Sequence, residues 1–151
     1  MATLRLTQAS TLVAAALAEA RRRNLAPLSV AVLDAGGHLI AFQREDGAGF
    51  LRESIAYGKA WGALGLGFGT RELAERAAKI PTFVNALAAT SGGRAVPSPG
   101  GVLVLGGDGE LLGAVGISGD AGDQDEACAL AGIAAVGLEA QPGAAPARRQ
   151  E

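Results

Sequence analysis

Cysteine is almost absent: Cys128 stands alone, so no internal disulfide can form. Aromatic residues make up only 4% of the chain, which leaves Ala, Val, Leu and Ile to build the core. No apolar run approaches the ~18 residues that a membrane-spanning helix needs. The opening MATLRLTQAS lacks the charged-then-apolar order of a signal peptide. The expectation is therefore a cytoplasmic protein with no membrane partner. Clustered positive charge is also missing. The net charge is −2, and nucleic-acid binding needs a concentrated positive field. The one basic run, Arg21 to Arg23, reads as a solvated helix end. H-E-x-x-H, paired cysteines and phosphate-loop motifs do not occur, so no metal site is expected.

Glycine is plentiful, at 23 of 151 residues, about double the usual share. It follows no collagen-like period, so it marks turns and close backbone contacts. The length suits one α/β domain over 1–140, with a flexible tail at 141–151 that carries no core pattern. Thr7 can cap a helix running to Arg23, with Leu12, Val13, Ala16, Leu17 and Ala20 on one face. Residues 28–33 and 38–43 form two apolar strands around the turn Asp34–Gly37, and their near-continuous apolarity predicts cover on both faces. A helix follows from Leu51 to Leu66 with Gly58, Gly62 and Gly65 inside it. Each glycine costs about 1 kcal/mol against Ala, so close packing, or else a flat ligand, must offset it. Short helices are expected from Thr70 to Lys79 and from Pro81 to Ala88. GVLVLGG and ELLGAVGIS form a second hairpin around Gly106–Gly109. A last helix runs to Glu139, capped by an Asp123–Glu126 box. Two hairpins imply an antiparallel sheet rather than a Rossmann-type parallel one.

Four residues stand out for chemistry. Lys59 lies in the apolar, glycine-rich helix, where it either snorkels to solvent or is held by an acidic partner; Asp46, in the turn after the second strand, is one on offer. The pair is either a structural bridge or a catalytic base with its orienting carboxylate. Arg44 ends the second strand, where it either clamps a ligand carboxylate or stands on the surface. Ser118 opens the glycine-broken loop to Asp125, whose free N–H groups suit an anion but whose own carboxylates oppose one. Cys128 reads as a buried, inert small residue.

Three segments in combination carry a resemblance: D-A-G-G-H-L-I-A-F-Q-R-E-D-G-A at Asp34–Ala48, K-A-W-G-A at Lys59–Ala63, and the stretch Gly100–Gly132 containing G-G-V-L-V-L, G-E-L-L-G-A-V-G-I-S-G and D-Q-D-E-A-C-A-L-A-G. Together they resemble the GlcG/HbpS-like proteins over nearly the whole chain. The resemblance implies a profilin-like five-stranded antiparallel sheet with helices on both faces, and a homo-oligomer of even number. It also implies a small-molecule ligand, which in some relatives is haem or iron, and a likeness to the C-terminal part of PduO-type cobalamin adenosyltransferases. Relatives that ligate haem through histidine place it in the first helix, and that helix has none here. The only histidine is His38, at the hairpin turn, and Gly62 stands where relatives often carry threonine. The expected function is small-ligand binding, with haem or a related cofactor among the ligands and Arg44, Lys59 and Ser118 as contacts. The alternative is a cofactor-free isomerase, hydratase or lyase using Lys59 as base, Asp46 as orienter and Arg44 as anion clamp.

Overall fold

The first helix, α1 (Leu6–Arg22), lines Ala9, Leu12, Val13, Ala16 and Ala20 along one buried stripe. It begins ahead of the expected Thr7 cap: the Gln8 side-chain oxygen closes the Arg5 N–H at 3.0 Å, and Thr7 is exposed. It stops at Asn24, whose φ of 61° lies in the left-handed region that asparagine tolerates. In the computed structural model, which describes residues 3–144, this helix leads into the first of two hairpins.

That hairpin joins β1 (Ser29–Asp34) to β2 (Leu39–Arg44). The Asp34 carboxylate holds the turn by accepting the N–H groups of Gly36 at 2.9 Å and His38 at 3.0 Å. The second hairpin joins β3 (Gly101–Leu105) to β4 (Leu111–Ser118). β1 pairs with β4, and the five strands run β2-β1-β4-β3-β5, every pairing antiparallel. β1, β3 and β4 are covered on both faces. β2 is only half-covered, contrary to the apolar reading of its sequence, because it is the edge strand and has a neighbour on one side alone.

α5 (Gly122–Ala135) ends before the expected Glu139. Gly137 takes a φ of +70° and turns the chain back. Residues Glu139–Gln141 then form β5 on the free edge of β3. No local pattern announces this strand, since its partner is the exposed edge itself. The expected tail thus starts inside β5, and the Gly143 carbonyl accepts the Gly69 N–H at 3.0 Å. Residues 145–151 lie outside the described residues.

α1 and α5 cover one face around Leu12, Val30, Val102, Val115 and Ile133. Cys128 lies in this layer, and burial pushes its thiol up to about 11, as an inert packing residue requires. α2 (Leu51–Leu66) covers the other face through Ala60 and Ala63 on Leu33, Leu103 and Ala114. α3 (Thr70–Lys79) and α4 (Pro81–Thr90) gather around Leu73, Val84 and Ala95. Arg71 latches α3 to α5, donating from Nε to both Glu126 oxygens, the nearer at 2.9 Å, and from Nη2 to Asp123 at 2.6 Å. The Asp123–Glu126 capping box therefore does not form. Ala121 is the N-cap instead, and both carboxylates answer an arginine from another element.

α2 lies on bare backbone. Gly101 and Gly116 pair directly across β3 and β4. A Cβ at Gly116 would sit 1.8 Å from the Ala56 carbonyl oxygen, and one at Gly101 would sit 2.4 Å from that of Lys59. The helix's own glycines accept a loop: a Cβ at Gly62 would lie 2.8 Å from the Arg94 carbonyl, and one at Gly58 would lie 3.1 Å from Val96. Gly65 has only the Trp61 ring nearby, at 4.0 Å. Gly116→Ala is expected to destabilise the domain by about 3 kcal/mol, the upper range for overpacking. Gly65→Ala should instead be neutral or stabilising by up to about 1 kcal/mol through helix propensity. Urea unfolding of the two variants checks the contrast.

Candidate functional site

Lys59 is carried over the flat patch by α2, and its side chain runs toward the far end of β4. Its ammonium donates to the Ile117 carbonyl at 2.8 Å and to Asp125 Oδ2 at 3.2 Å. Both partners of the ion pair are enclosed, at 2% and 1% exposure. Gly100, at a φ of +124°, closes over the amine so tightly that a Cβ there would lie 2.9 Å from Nζ. Asp125 spends its other oxygen on the Asp120 N–H at 3.0 Å. Desolvation pushes the Lys59 amine down and the Asp125 carboxyl up, and their mutual attraction opposes both shifts without cancelling them. The pair ties α2, β4 and α5 together.

The partner is not Asp46. That residue is exposed in the turn after β2 and joins Arg44 in the wall of a separate cleft of about 460 Å³, with Leu17, Arg21, Pro27, Gln43 and Glu45. The cleft is charged and three of its charges are engaged: Arg21 pairs with Glu45 at 3.0 Å, and Arg44 donates to the Ala48 carbonyl at 3.0 Å. Sequence proximity suggested Asp46; the helix instead turns Lys59 toward the loop that leads into α5. The base and its expected orienter are thus held apart, and Lys59, 2% exposed, lines none of the four clefts described among these residues.

Ser118 is buried and accepts from Arg52 Nη1 at 3.1 Å. In one cross-strand row Ser29 stands between Arg44 and Ser118, and its own hydroxyl has no partner among the described residues. The structure therefore brings Ser118 close to Lys59 through the adjacent Ile117 carbonyl, and leaves Arg44 with Asp46 elsewhere.

Sequence reasoning passed over the Trp61 platform. Trp61 is half-buried on α2, and two clefts meet at it. One, of about 230 Å³, runs over Gly62, Leu66, Leu87 and Ala95 to Arg94. The other, of about 190 Å³, is walled by Gly36, Gly37, Leu64 and Gly65. The Arg94 guanidinium stacks on the indole, 4.0 Å from the ring centroid, and its Nε donates to the Ser91 carbonyl at 2.9 Å. Its terminal nitrogens make no hydrogen bond among the described residues. The signal in the sequence was the sole tryptophan with glycine one and four positions further along a helix, which strips its surroundings of side chains.

His38 follows the turn residues Gly36 and Gly37 that wall the smaller cleft, but it lines neither cleft itself. Its Nδ1 lies 3.1 Å from Asp34 Oδ1, and the side chain is 81% exposed. The ring rests against Gly36, where a Cβ would meet it at 2.9 Å.

Lys59→Met is expected to cost about 3–5 kcal/mol, because it leaves Asp125 buried without its counter-charge. Adding Asp125→Asn should recover much of that, since the amide oxygen still serves the Asp120 N–H. The Asp125 carboxyl already titrates above its ordinary range, and losing the ammonium raises it further. The folded state then holds its proton to higher pH than the unfolded state does. The stability is present in acid and is lost as pH rises through the folded pKa. The Lys59→Met penalty should therefore be smaller at pH ~5 than at pH ~8, measured by denaturant unfolding at both.

Comparison with known proteins places these features in a family. A family model described as haem degrading protein HbpS-like matches residues 4–134. No curated protein matches the chain in sequence. Among solved structures, a complex titled PduOC:Heme shares 29% identity and a TM-score of 0.82, over 91% of this chain and 98% of that one. Klebsiella pneumoniae protein ORFY shares 29% identity and a TM-score of 0.82, over 91% and 92%. A doubly substituted Streptomyces reticuli HbpS shares 31% identity and a TM-score of 0.75, over 89% and 87%. The chain belongs to the HbpS-like family.

Proposed function

We propose that this protein binds a flat, conjugated, anionic ligand of the haem class, laid across Trp61. A porphyrin asks three things of a chain: a flat apolar wall, a cation for its carboxylates and a donor for its metal. Trp61 between its two clefts supplies the first and the free nitrogens of Arg94 the second; His38 lines neither cleft, so the described lining offers no donor for a metal. The residues present fit the flat ring and its carboxylates. When bound, haem would supply an iron centre; the chain's own part is to stack, hold the carboxylates and exclude water from one face. A neighbour in the same fold, the PduOC:Heme complex, supports the same ligand class.

The observation that carries the reading is the tryptophan shared by two clefts. Each falls short of the roughly 300 Å³ at which enclosed ligand sites begin, so a macrocycle must span both and keep an edge in water. The larger cleft beside Arg44 has the volume, but its charged lining, with Arg21 paired to Glu45, gives an apolar ring little to gain. Lys59 and Ser118 serve this site indirectly, by holding α2 on the sheet. We keep an even-numbered homo-oligomer within this reading, supported by Phe50 and Leu51, which are 91% and 62% exposed at the start of α2.

Titration with ferric haem is expected to give a saturable Soret shift with a midpoint near ~1 μM, a binding energy of about 8 kcal/mol. Trp61→Ala should weaken it about tenfold, since one aromatic stack is worth about 1–3 kcal/mol. Arg94→Ala should weaken haem more than a porphyrin ester lacking carboxylates. An unchanged spectrum with wild-type protein, or a Trp61→Ala midpoint equal to wild type, overturns the proposal.

A further inference from the structure

The indole of Trp61 is covered by a cation whose charge is unanswered. We infer that Arg94 selects the ligand: its guanidinium masks the indole until a carboxylate draws it away, so the platform takes flat rings that carry a carboxylate and refuses those that do not. This rests on the stacking site proposed above and names the group its ligand must carry.

The mask is a face contact. The guanidinium carbon lies over the indole, 4.0 Å from the ring centroid. Both residues line the larger cleft, so a ring that stacks on Trp61 there must take the guanidinium's place. The surroundings are otherwise bare. A Cβ at Gly37 would stand 3.6 Å from the indole, and one at Gly65 would stand 4.0 Å from it. Arg94 is also the one charged side chain among the residues that wall the two clefts.

A second stacked arginine shows what is unusual here. Arg76 sits 4.4 Å from the Phe68 centroid, and its Nε donates to Glu72 at 3.1 Å, so its charge is met within its own helix. Arg94 spends its Nε on the neutral Ser91 carbonyl, and no carboxylate pairs with it among the described residues. Its main chain is anchored: the N–H donates to Ser91 Oγ at 3.1 Å, and the carbonyl lies against Gly62. Its side chain is exposed, beside Gly92 and Gly93, which turn the chain at φ of 68° and 85°. A Cβ at Gly93 would meet nothing within 4 Å. The guanidinium can therefore swing while its backbone stays in place.

The exchange decides selectivity. A cation on an exposed aromatic face is weakly held, whereas a guanidinium fork on a carboxylate makes two charge-assisted hydrogen bonds. A neutral ring must strip the cation from the indole and return it to water. A ring with a carboxylate gives the displaced cation a better partner.

Trp61 is the only tryptophan, so its fluorescence reads the site directly. The probes are metal-free protoporphyrin IX and its dimethyl ester, which differ only in their carboxylates. Wild-type protein is expected to bind the acid about tenfold more tightly than the ester. Arg94→Ala should bind the acid about tenfold more weakly than wild type, yet the ester about threefold more tightly, because the mask is gone. Arg94→Lys keeps the charge without the flat fork, so it should gain the ester in the same way while retaining part of the preference for the acid. Without ligand, acrylamide should quench Trp61 more strongly in Arg94→Ala than in wild type. The side chain is exposed, so both variants should fold, which circular dichroism checks. Equal midpoints for acid and ester in wild type, no gain of the ester by Arg94→Ala, or unchanged quenching overturns the inference and leaves the stacking platform standing. Failure of wild-type protein to bind either ring overturns the platform and this inference together.

Discussion

The arrangement depends on a helix laid directly on sheet backbone. Gly101 and Gly116 face each other across β3 and β4, and α2 descends onto them until its carbonyl oxygens occupy the space of two missing side chains. At that separation no solvent can intervene, so the lysine carried by the helix must find its partners inside the protein. Ile117 and Asp125 supply them. A buried pair of this kind adds little net stability over an apolar substitute. What it adds is direction, because a charge so expensive to strand fixes the register of α2 against β4 and α5.

That fixed register sets the outer surface as well. With one side of α2 pressed on the sheet, Gly58 and Gly62 admit the loop after α4, and that loop carries Arg94 onto Trp61. Gly65 stays uncovered, and the first hairpin turn approaches from the other side through Gly37. The platform is thus assembled from three separate stretches of chain by the packing of a fourth surface beneath them. It is small and open, which suits a ligand held partly in water more than one sealed in a cavity.

Much of the scaffold was readable from residue patterns. Both hairpins, the helix from Leu51 to Leu66 and the short helices after it follow from turn glycines and apolar spacing, because those signals are local. The misreadings share one cause, in that each concerned a partner distant in sequence. Asp123 and Glu126 have the spacing of a cap, yet Arg71 claims them from another helix. Residues 139–141 continue a helical stretch in composition, yet the bare edge of β3 recruits them as a strand. The apolar run in β2 looks buried, yet it forms the edge.

The site divides along the same line. The sequence by itself determined that Lys59 must either reach solvent or find an acid, that Cys128 is packing and that His38 sits at a turn, since each follows from its immediate neighbours. Only the tertiary structure decided that the acid is Asp125, 66 residues away, and not Asp46. It alone decided, too, that Arg94 stacks on Trp61 beside the turn that holds His38. Periodicity assigns a residue to a face of its own element. Which other element meets that face is set by how closely backbones can approach, and here paired glycines on two strands decided it.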